Sequence, residues 1–452
     1  MATVSQHGMW SSKLGFLLAA IGSAVGLGNI WRFSTVTAEH GGGAFVLIYL
    51  AAIALVGLPV MIAEVLIGRA GRESPINSLL DLARESRAWR AWSLIGWSGL
   101  TAGVLILSFY CIIAGWTLSY AVTYLSGLFS DGPAVSDAGA HFGALTSSTS
   151  QLLFWHFLFV ALTVFVVARG VEKGIEAAVR FMIPALFLLL ITLVIYGMTT
   201  GQFMHTLSYL FKPDFSKVTG QTLIAALGQA FFSLSLGMAG LMAYGAYVPD
   251  KLSLPRLCGI ICLADTSVAL LAGLAIFPVV FAFSLDPASY GPGLVFVALP
   301  TAFAQMAWGD LYGLAFFVLL AFAAWSSTIS LVEGGTAYLV EKGIRRPLAA
   351  TLLGGGAGVL GIASVLSFTH WSEVRVFGRN ILDAVNFVAS DLLLPLGGLS
   401  IAIFAGWILL ESRRREQLAD LGTGSYAIWK VLTRFVAPVL IALVFLSGAG
   451  LI

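Results

Sequence analysis

Ile21-Gly-Ser-Ala-Val-Gly-Leu-Gly-Asn-Ile-Trp-Arg-Phe33 is the stretch whose reading decides the fold. It lies inside an apolar segment running from about Leu14 to Ala38, long enough to cross a bilayer, which takes about 20 residues of helix. Gly22, Gly26 and Gly28 fall at its centre, beside Ser23 and Asn29. Each glycine costs a helix about 1 kcal/mol relative to alanine, so the cluster predicts a break at mid-membrane depth. In hydrocarbon a break is tolerated only where the freed N–H and C=O groups face protein, water or a ligand. Such a break offers carbonyls to a cation and a half-helix N-terminus to an anion. The plainer alternative is close helix packing through small residues.

The rest of the chain supplies the membrane context. Of 452 residues, 59% are hydrophobic and 10% charged, and the mean hydropathy is +0.94. Soluble domains carry about 25% charged residues, so this is a polytopic membrane protein. The ten-residue alternation of an outer-membrane barrel is absent, which leaves helical spans. The net charge of +2 gives no indication of a nucleic-acid partner. Cys111, Cys258 and Cys262 lie in apolar segments and read as small packing residues. The six histidines match no metalloenzyme motif. The polar start, Met1 to Ser12, lacks a signal-peptide cleavage site, so span 1 is expected to be retained.

Eleven spans are expected, at about 13–38, 44–69, 92–125, 151–168, 175–199, 220–247, 257–284, 310–340, 348–366, 380–410 and 427–450. The stretches 70–90, 126–150, 200–219 and 285–309 read as polar or proline-rich connections. Lys and Arg gather after spans 2, 4, 6, 8 and 10. By the positive-inside rule the N-terminus is cytoplasmic, and eleven spans put the C-terminus outside.

Span 6 repeats the character of span 1. Gln229-Ala-Phe-Phe-Ser-Leu-Ser-Leu-Gly-Met-Ala-Gly240 combines Gly237 and Gly240 with Ser233 and Ser235. Two glycine-interrupted helices at matching positions of two halves point to a transporter site between them. Five spans separate them. An odd number inverts one half relative to the other, giving 13–199 and 220–410 as repeats in one transporter domain (1–452), with 427–450 outside the repeat.

Four segments together resemble a known family: Gly22 to Phe33, Gly41-Gly-Gly-Ala-Phe45, Gln229 to Gly237, and Lys212-Pro-Asp-Phe215. They are similar to the neurotransmitter:sodium symporters, and within them to the bacterial amino-acid transporters, over Trp10 to about span 10. The resemblance implies an all-α five-plus-five inverted repeat with broken helices 1 and 6, sodium-coupled symport, and alternating access in a bacterial inner membrane. It implies no enzyme activity.

By the same resemblance two sodium ions would bind. Gly22, Val25, Ala323, Ser326 and Ser327 would form one site (Na2). Ala24, Asn29, Ser233 and Asp265 would form the other (Na1), completed by the substrate carboxylate. Sodium is a hard cation, and these positions offer carbonyl and hydroxyl oxygens; serines in membrane helices also commonly bond their own backbone. Many members have Asn where Asp265 stands and bind chloride to balance charge. A carboxylate within a span is costly and by default functional, so Asp265 predicts chloride-independent transport.

The substrate would be a neutral, hydrophobic L-amino acid. Its carboxylate would meet the N–H groups of Gly26 and Leu27 and the Tyr110 hydroxyl, and its ammonium the carbonyls near Ala24, Phe232 and Ser235 with the Ser327 hydroxyl. Ile106, Ile113, Phe232, Met238, Ser327 and Leu331 would enclose the side chain, and Ala239, glycine in some members, limits expansion. Glu64 would brace the unwound part of span 6, and Glu333 has no assigned role. Arg32 and Phe232 would close the outside, although the usual aspartate partner of this arginine is Asn386, with Asp383 one turn away. Trp10, Tyr247 and Glu341 would close the inside, with His7 at a position that is often arginine. Gly174 and Pro184 match a motif that lets span 5 unwind.

Three other readings remain: a proton-coupled transporter of the same fold, an ion channel lined by the same carbonyls, and an intramembrane enzyme. The enzyme reading lacks an acid–base pair, a nucleophile motif and a metal cluster.

Overall fold

The interrupted helix of span 1 is present. Helix Lys13–Ala24 ends where Val25 turns extended (φ −70°, ψ 116°). A π-helical turn, Gly28–Arg32, and a helix, Phe33–Glu39, carry the segment onward, bent by 54° from the first half. These features belong to a computed structural model that describes residues 10, 12–127, 135–285 and 293–451.

Nine continuous helical segments are long and apolar enough to span a membrane, and the bent pair makes a tenth, among the described residues. Span 6 is two short helices, Gly220–Ser233 and Gly240–Ala246. Neither is long enough to cross the bilayer alone. Between them the backbone takes positive φ at Ser235 (54°), Gly237 (84°) and Ala239 (61°), which no helix accommodates. A capping box at Thr219 and Thr222 starts the first half.

Four connections read from sequence as loops contain helices. Pro75–Glu85 lies within 70–90 and Val135–Ser147 within 126–150. Phe203–Phe211 lies within 200–219, and Leu294–Ala298 with Leu299–Phe303 within 285–309. These helices are too short for a span-length hydropathy signal. Pro75–Glu85 shows why it folds: Pro75 starts it, while Ile76, Leu79, Leu82 and Ala83 bury one face.

Two of the sequence motifs touch. Gly41 and Gly42 have φ of 86° and 75°, and a Cβ on Gly42 would stand 2.7 Å from the Tyr209 carbonyl. A Cβ on Gly43 would stand 2.7 Å from the Lys212 carbonyl. The triple glycine therefore lets the turn after span 1 pack against the backbone of 209–217. There Asp214 caps a short turn by accepting from the Ser216 N–H at 3.1 Å and its hydroxyl at 2.6 Å. Those bonds hold the Asp214 carboxyl below its usual pKa.

Candidate functional site

The two breaks face each other and exchange hydrogen bonds. Ser235 Oγ donates to the Ser23 carbonyl at 3.0 Å, and Gln229 Nε2 donates to the Gly28 carbonyl at 3.0 Å. Phe232 lies so close that a Cβ on Gly28 would meet its ring at 2.8 Å. Carbonyls of span 1 at the break are thus bonded by side chains of span 6. Glu64, fully buried in span 2, accepts from the Gly237 N–H at 3.1 Å, the bracing contact expected of it.

A buried polar cluster forms beside the breaks. Asn29 Nδ2 donates to Asp265 Oδ1 at 2.6 Å and to Ser233 Oγ at 3.0 Å. Ser233 Oγ donates to Asp265 Oδ2, and Tyr49 OH lies 3.1 Å from Ser233 Oγ. Asn29 Oδ1 accepts from the Gly26 N–H at 2.9 Å. Asn29 and Asp265 have no solvent exposure. Tyr49 is a member that sequence reasoning missed: it is one aromatic among many in an apolar span.

A second oxygen-rich cluster joins spans 1 and 8. Ser327 Oγ and Ser326 Oγ donate to the Val25 carbonyl at 3.1 Å and 3.5 Å, and Ser326 Oγ also reaches the Ala323 carbonyl at 3.1 Å. A Cβ on Gly22 would stand 3.0 Å from Ser326 Cβ, so the absence of a side chain there lets the spans meet. No group of three His, Cys, Asp or Glu suited to a metal occurs among the described residues. Hydroxyls and carbonyls of this kind suit a hard monovalent cation.

A cavity between the clusters is lined by Ala24, Gly26, Ile106, Tyr110, Phe232, Ser235, Met238, Ser327 and Leu331, nine of the expected substrate positions. Gly28, Asn29 and Leu394 also line it. Leu27 and Ile113 instead line a larger cavity of about 610 Å³ opening beyond Phe232. The Leu27 N–H donates to Tyr110 OH at 3.0 Å. Ile113, expected to enclose the substrate side chain, lines this larger cavity together with Tyr110 and Phe232, which border both cavities. Leu394 carried no distinguishing sequence signal, being a leucine among leucines in span 10.

The ends of the pathway differ from expectation in their charges. Outside, Arg32 lies over the Phe232 ring, 4.5 Å from its centroid. Asn386 accepts from Ser390 Oγ at 2.8 Å. Asp383 is held at its helix start by Asn380, whose amide donates at 2.7 Å. The carboxylates that share the outer cavity with Arg32 are Glu39, Asp383 and Asp391. Inside, Trp10 packs edge-on against Phe16, Tyr244 and Tyr247. Tyr247 OH donates to Glu333 Oε1 at 3.0 Å, and Glu333 Oε2 pairs with Arg346. Glu333 therefore has the partners that the sequence left unassigned. Glu341 accepts from Ser74 and, at 2.7 Å, from Asn77 Nδ2, at the start of helix Pro75–Glu85. His7 lies outside the described residues. Gly174 falls in a π-helical turn, Val171–Glu176, and Pro184 within helix Ala177–Gly197.

Two broken helices, bonded to each other around a cavity and two buried oxygen clusters, define a multi-pass membrane transporter rather than an enzyme. The chain belongs to the sodium:neurotransmitter symporter family, whose pattern matches residues 7–130 and 137–450. Sodium is accordingly its coupling ion. It is 40% identical to an uncharacterized sodium-dependent transporter of Bacillus subtilis, YhdH, over 98% of each chain. It is 23% identical to the human sodium- and chloride-dependent GABA transporter 2, over 98% of this chain and 80% of that one. Among solved structures, it is similar to the crystal structure of MhsT in complex with L-phenylalanine. That likeness has 44% identity and a TM-score of 0.90, covering 98% of this chain and 99% of the other.

Proposed function

We propose that this protein imports neutral, hydrophobic L-amino acids with two sodium ions, by alternating access and without chloride. The observation that carries the reading is the cavity between the broken spans. Its walls are apolar at Ile106, Met238, Leu331 and Leu394 and polar at the Gly26 backbone and Tyr110. One end suits a hydrocarbon or aromatic side chain, the other a carboxylate. The L-phenylalanine bound to the similar MhsT structure supports this substrate class.

Each oxygen cluster would hold one sodium. The Val25 and Ala323 carbonyls with Ser326 and Ser327 would form one site, with Gly22 beside it. Asn29, Ser233, Asp265 and the Ala24 carbonyl would form the other with the substrate carboxylate. At the second site the Asn29 amide now donates to Asp265. A cation would compete for that carboxylate, so Asn29 would turn its amide to present Oδ1. The turn would release the Gly26 N–H from Asn29, freeing a donor for the substrate carboxylate. Sodium and substrate binding would thereby be coupled through one side chain. Asp265 supplies the fixed negative charge that makes chloride unnecessary.

In this reading 13–199 and 220–410 are the inverted repeats and 427–450 an additional span. The chain lies in a bacterial inner membrane with its N-terminus in the cytoplasm and its C-terminus outside. Phe232 and Arg32 close the outer path; Trp10 and Tyr247 close the inner one, with Glu341 nearby.

Uptake of labelled L-phenylalanine into proteoliposomes tests the reading. Accumulation should require an inward sodium gradient and persist when gluconate replaces chloride. Uptake driven by a proton gradient in potassium buffer, or none under a sodium gradient, would overturn it.

A further inference from the structure

Arg32 closes no ion pair among the described residues, and its Nη1 is buried without a hydrogen-bond partner. It borders two cavities, of about 310 and 610 Å³, and the carboxylate on the wall of both is Asp391. The electrostatics agree: Asp391 is the leading charge acting on Arg32, and Arg32 the leading charge acting on Asp391. Asn386 carries no charge and is engaged by Ser390.

The winding of span 10 explains how a residue five positions beyond Asn386 reaches the same opening. In an α-helix, residues five apart point about 140° away from each other. Here Phe387–Leu393 is π-helical, with the Leu394 N–H bonded to the Ala389 carbonyl five residues back. Such winding takes about 4.4 residues per turn, so residues five apart are offset by only about 50° and come close to one face. Asn386 and Asp391 accordingly both line the outer cavity.

We propose that Asp391 is the counter-charge of Arg32 in outer closure, the π-helical segment having moved the carboxylate five residues along span 10. The proposal rests on the transport reading and adds to it a positioning residue for the outer gate. The two groups share a water-accessible opening here, and they would approach as the vestibule above Phe232 narrows. Arg379, the other cation acting on Asp391, is held over the Phe387 ring at 4.3 Å and anchors the carboxylate when the gate is open.

The test moves the charge. Asp391→Asn should lower sodium-driven L-phenylalanine uptake by roughly tenfold, while sodium-dependent binding stays within about twofold, since a gate charge acts on closure rather than on the pocket. Asp391→Asn combined with Asn386→Asp should restore uptake to within about threefold of the parent, because the carboxylate again faces Arg32. A second readout needs no amino acid. Leu382 lines the outer cavity, and the native cysteines are buried. Leu382→Cys should react with an impermeant maleimide more slowly in potassium than in sodium. Asp391→Asn should abolish that difference and Asn386→Asp should return it. Parental uptake and ion-dependent labelling that persist in Asp391→Asn would overturn the proposal, as would failure of Asn386→Asp to rescue. Loss of phenylalanine uptake in the parent, with the labelling pattern intact, would count against the substrate alone and support the gate.

Discussion

The Asn29 amide donates to the Asp265 carboxylate at 2.6 Å, and neither side chain reaches solvent. A buried carboxylate loses several kcal/mol of hydration, which neutral hydrogen bonds restore only in part. A cation in the cluster would restore the remainder. Asp265→Asn should therefore leave the fold intact and lower uptake at least about tenfold in chloride-free buffer, the cost of removing a charged ligand. Chloride should recover part of the activity. Initial rates in sodium gluconate and sodium chloride check this; equal rates for parent and variant in gluconate would remove the charge-balance argument.

Ser327 donates to the Val25 carbonyl at 3.1 Å, just where span 1 stops being helical. Ser327→Ala removes one oxygen from the proposed sodium site and one donor from an orphaned carbonyl. A loss of about 1–1.5 kcal/mol would raise the half-saturating sodium concentration on the order of tenfold. Ser327→Thr, which keeps the hydroxyl, should stay close to the parent. Sodium titration of uptake at fixed L-phenylalanine distinguishes the two. An unchanged sodium curve for the alanine variant would take Ser327 out of the ion site.

How much of this was legible depends on whether a residue's type is unusual for its surroundings. Gly22, Asn29, Ser233 and Asp265 stand out against lipid-soluble neighbours; the first three fall at or next to the two breaks, and Asp265, in the unbroken span 7, bonds to Asn29 and Ser233 there. Glu64 stood out for the same reason and meets the unwound span 6 at Gly237. Tyr49 and Leu394 did not stand out, because aromatic and leucine side chains are ordinary in a span. Asp391 could not be placed from sequence: an α-helical projection turns it away from Asn386, and only the π-helical winding brings it round. The Glu333–Arg346 pair joins span 8 to the start of span 9, a pairing that no local spacing encodes.

Gly237 combines two constraints, a φ of 84° and a Cβ position 2.4 Å from the Leu394 carbonyl. Gly201 has a similar φ of 78° with nothing within 4 Å of its Cβ. Gly201→Ala should therefore cost only the backbone strain, about 1–2 kcal/mol, with transport retained. Gly237→Ala should add displacement of span 10 and loss of the Glu64 bracing bond. Its thermal unfolding midpoint in detergent should fall further, and sodium-dependent binding should be lost. Equal shifts in the two variants would mean that crowding at Leu394 is harmless and that span 6 tolerates movement there.

Glu333 is fully buried and joins two partners, Tyr247 beneath Trp10 and Arg346 at the start of span 9. Arg346 also donates through Nε to the Val167 carbonyl at 2.9 Å, at the end of span 4. One carboxylate thus ties the inner aromatic cluster to two other spans. Removing one member of a buried pair leaves the other charge uncompensated, at about 3–5 kcal/mol for a dry site. The Arg346 side chain is 16% exposed, so the cost of Glu333→Gln should be nearer about 2–3 kcal/mol. Glu333→Gln with Arg346→Gln removes both charges and should recover at least about half of that loss, a coupling that a double-mutant cycle measures directly. Thermal unfolding of the parent, both single variants and the double variant is the measurement. Additive losses would show that the pair is not coupled and that Glu333 acts through Tyr247 alone.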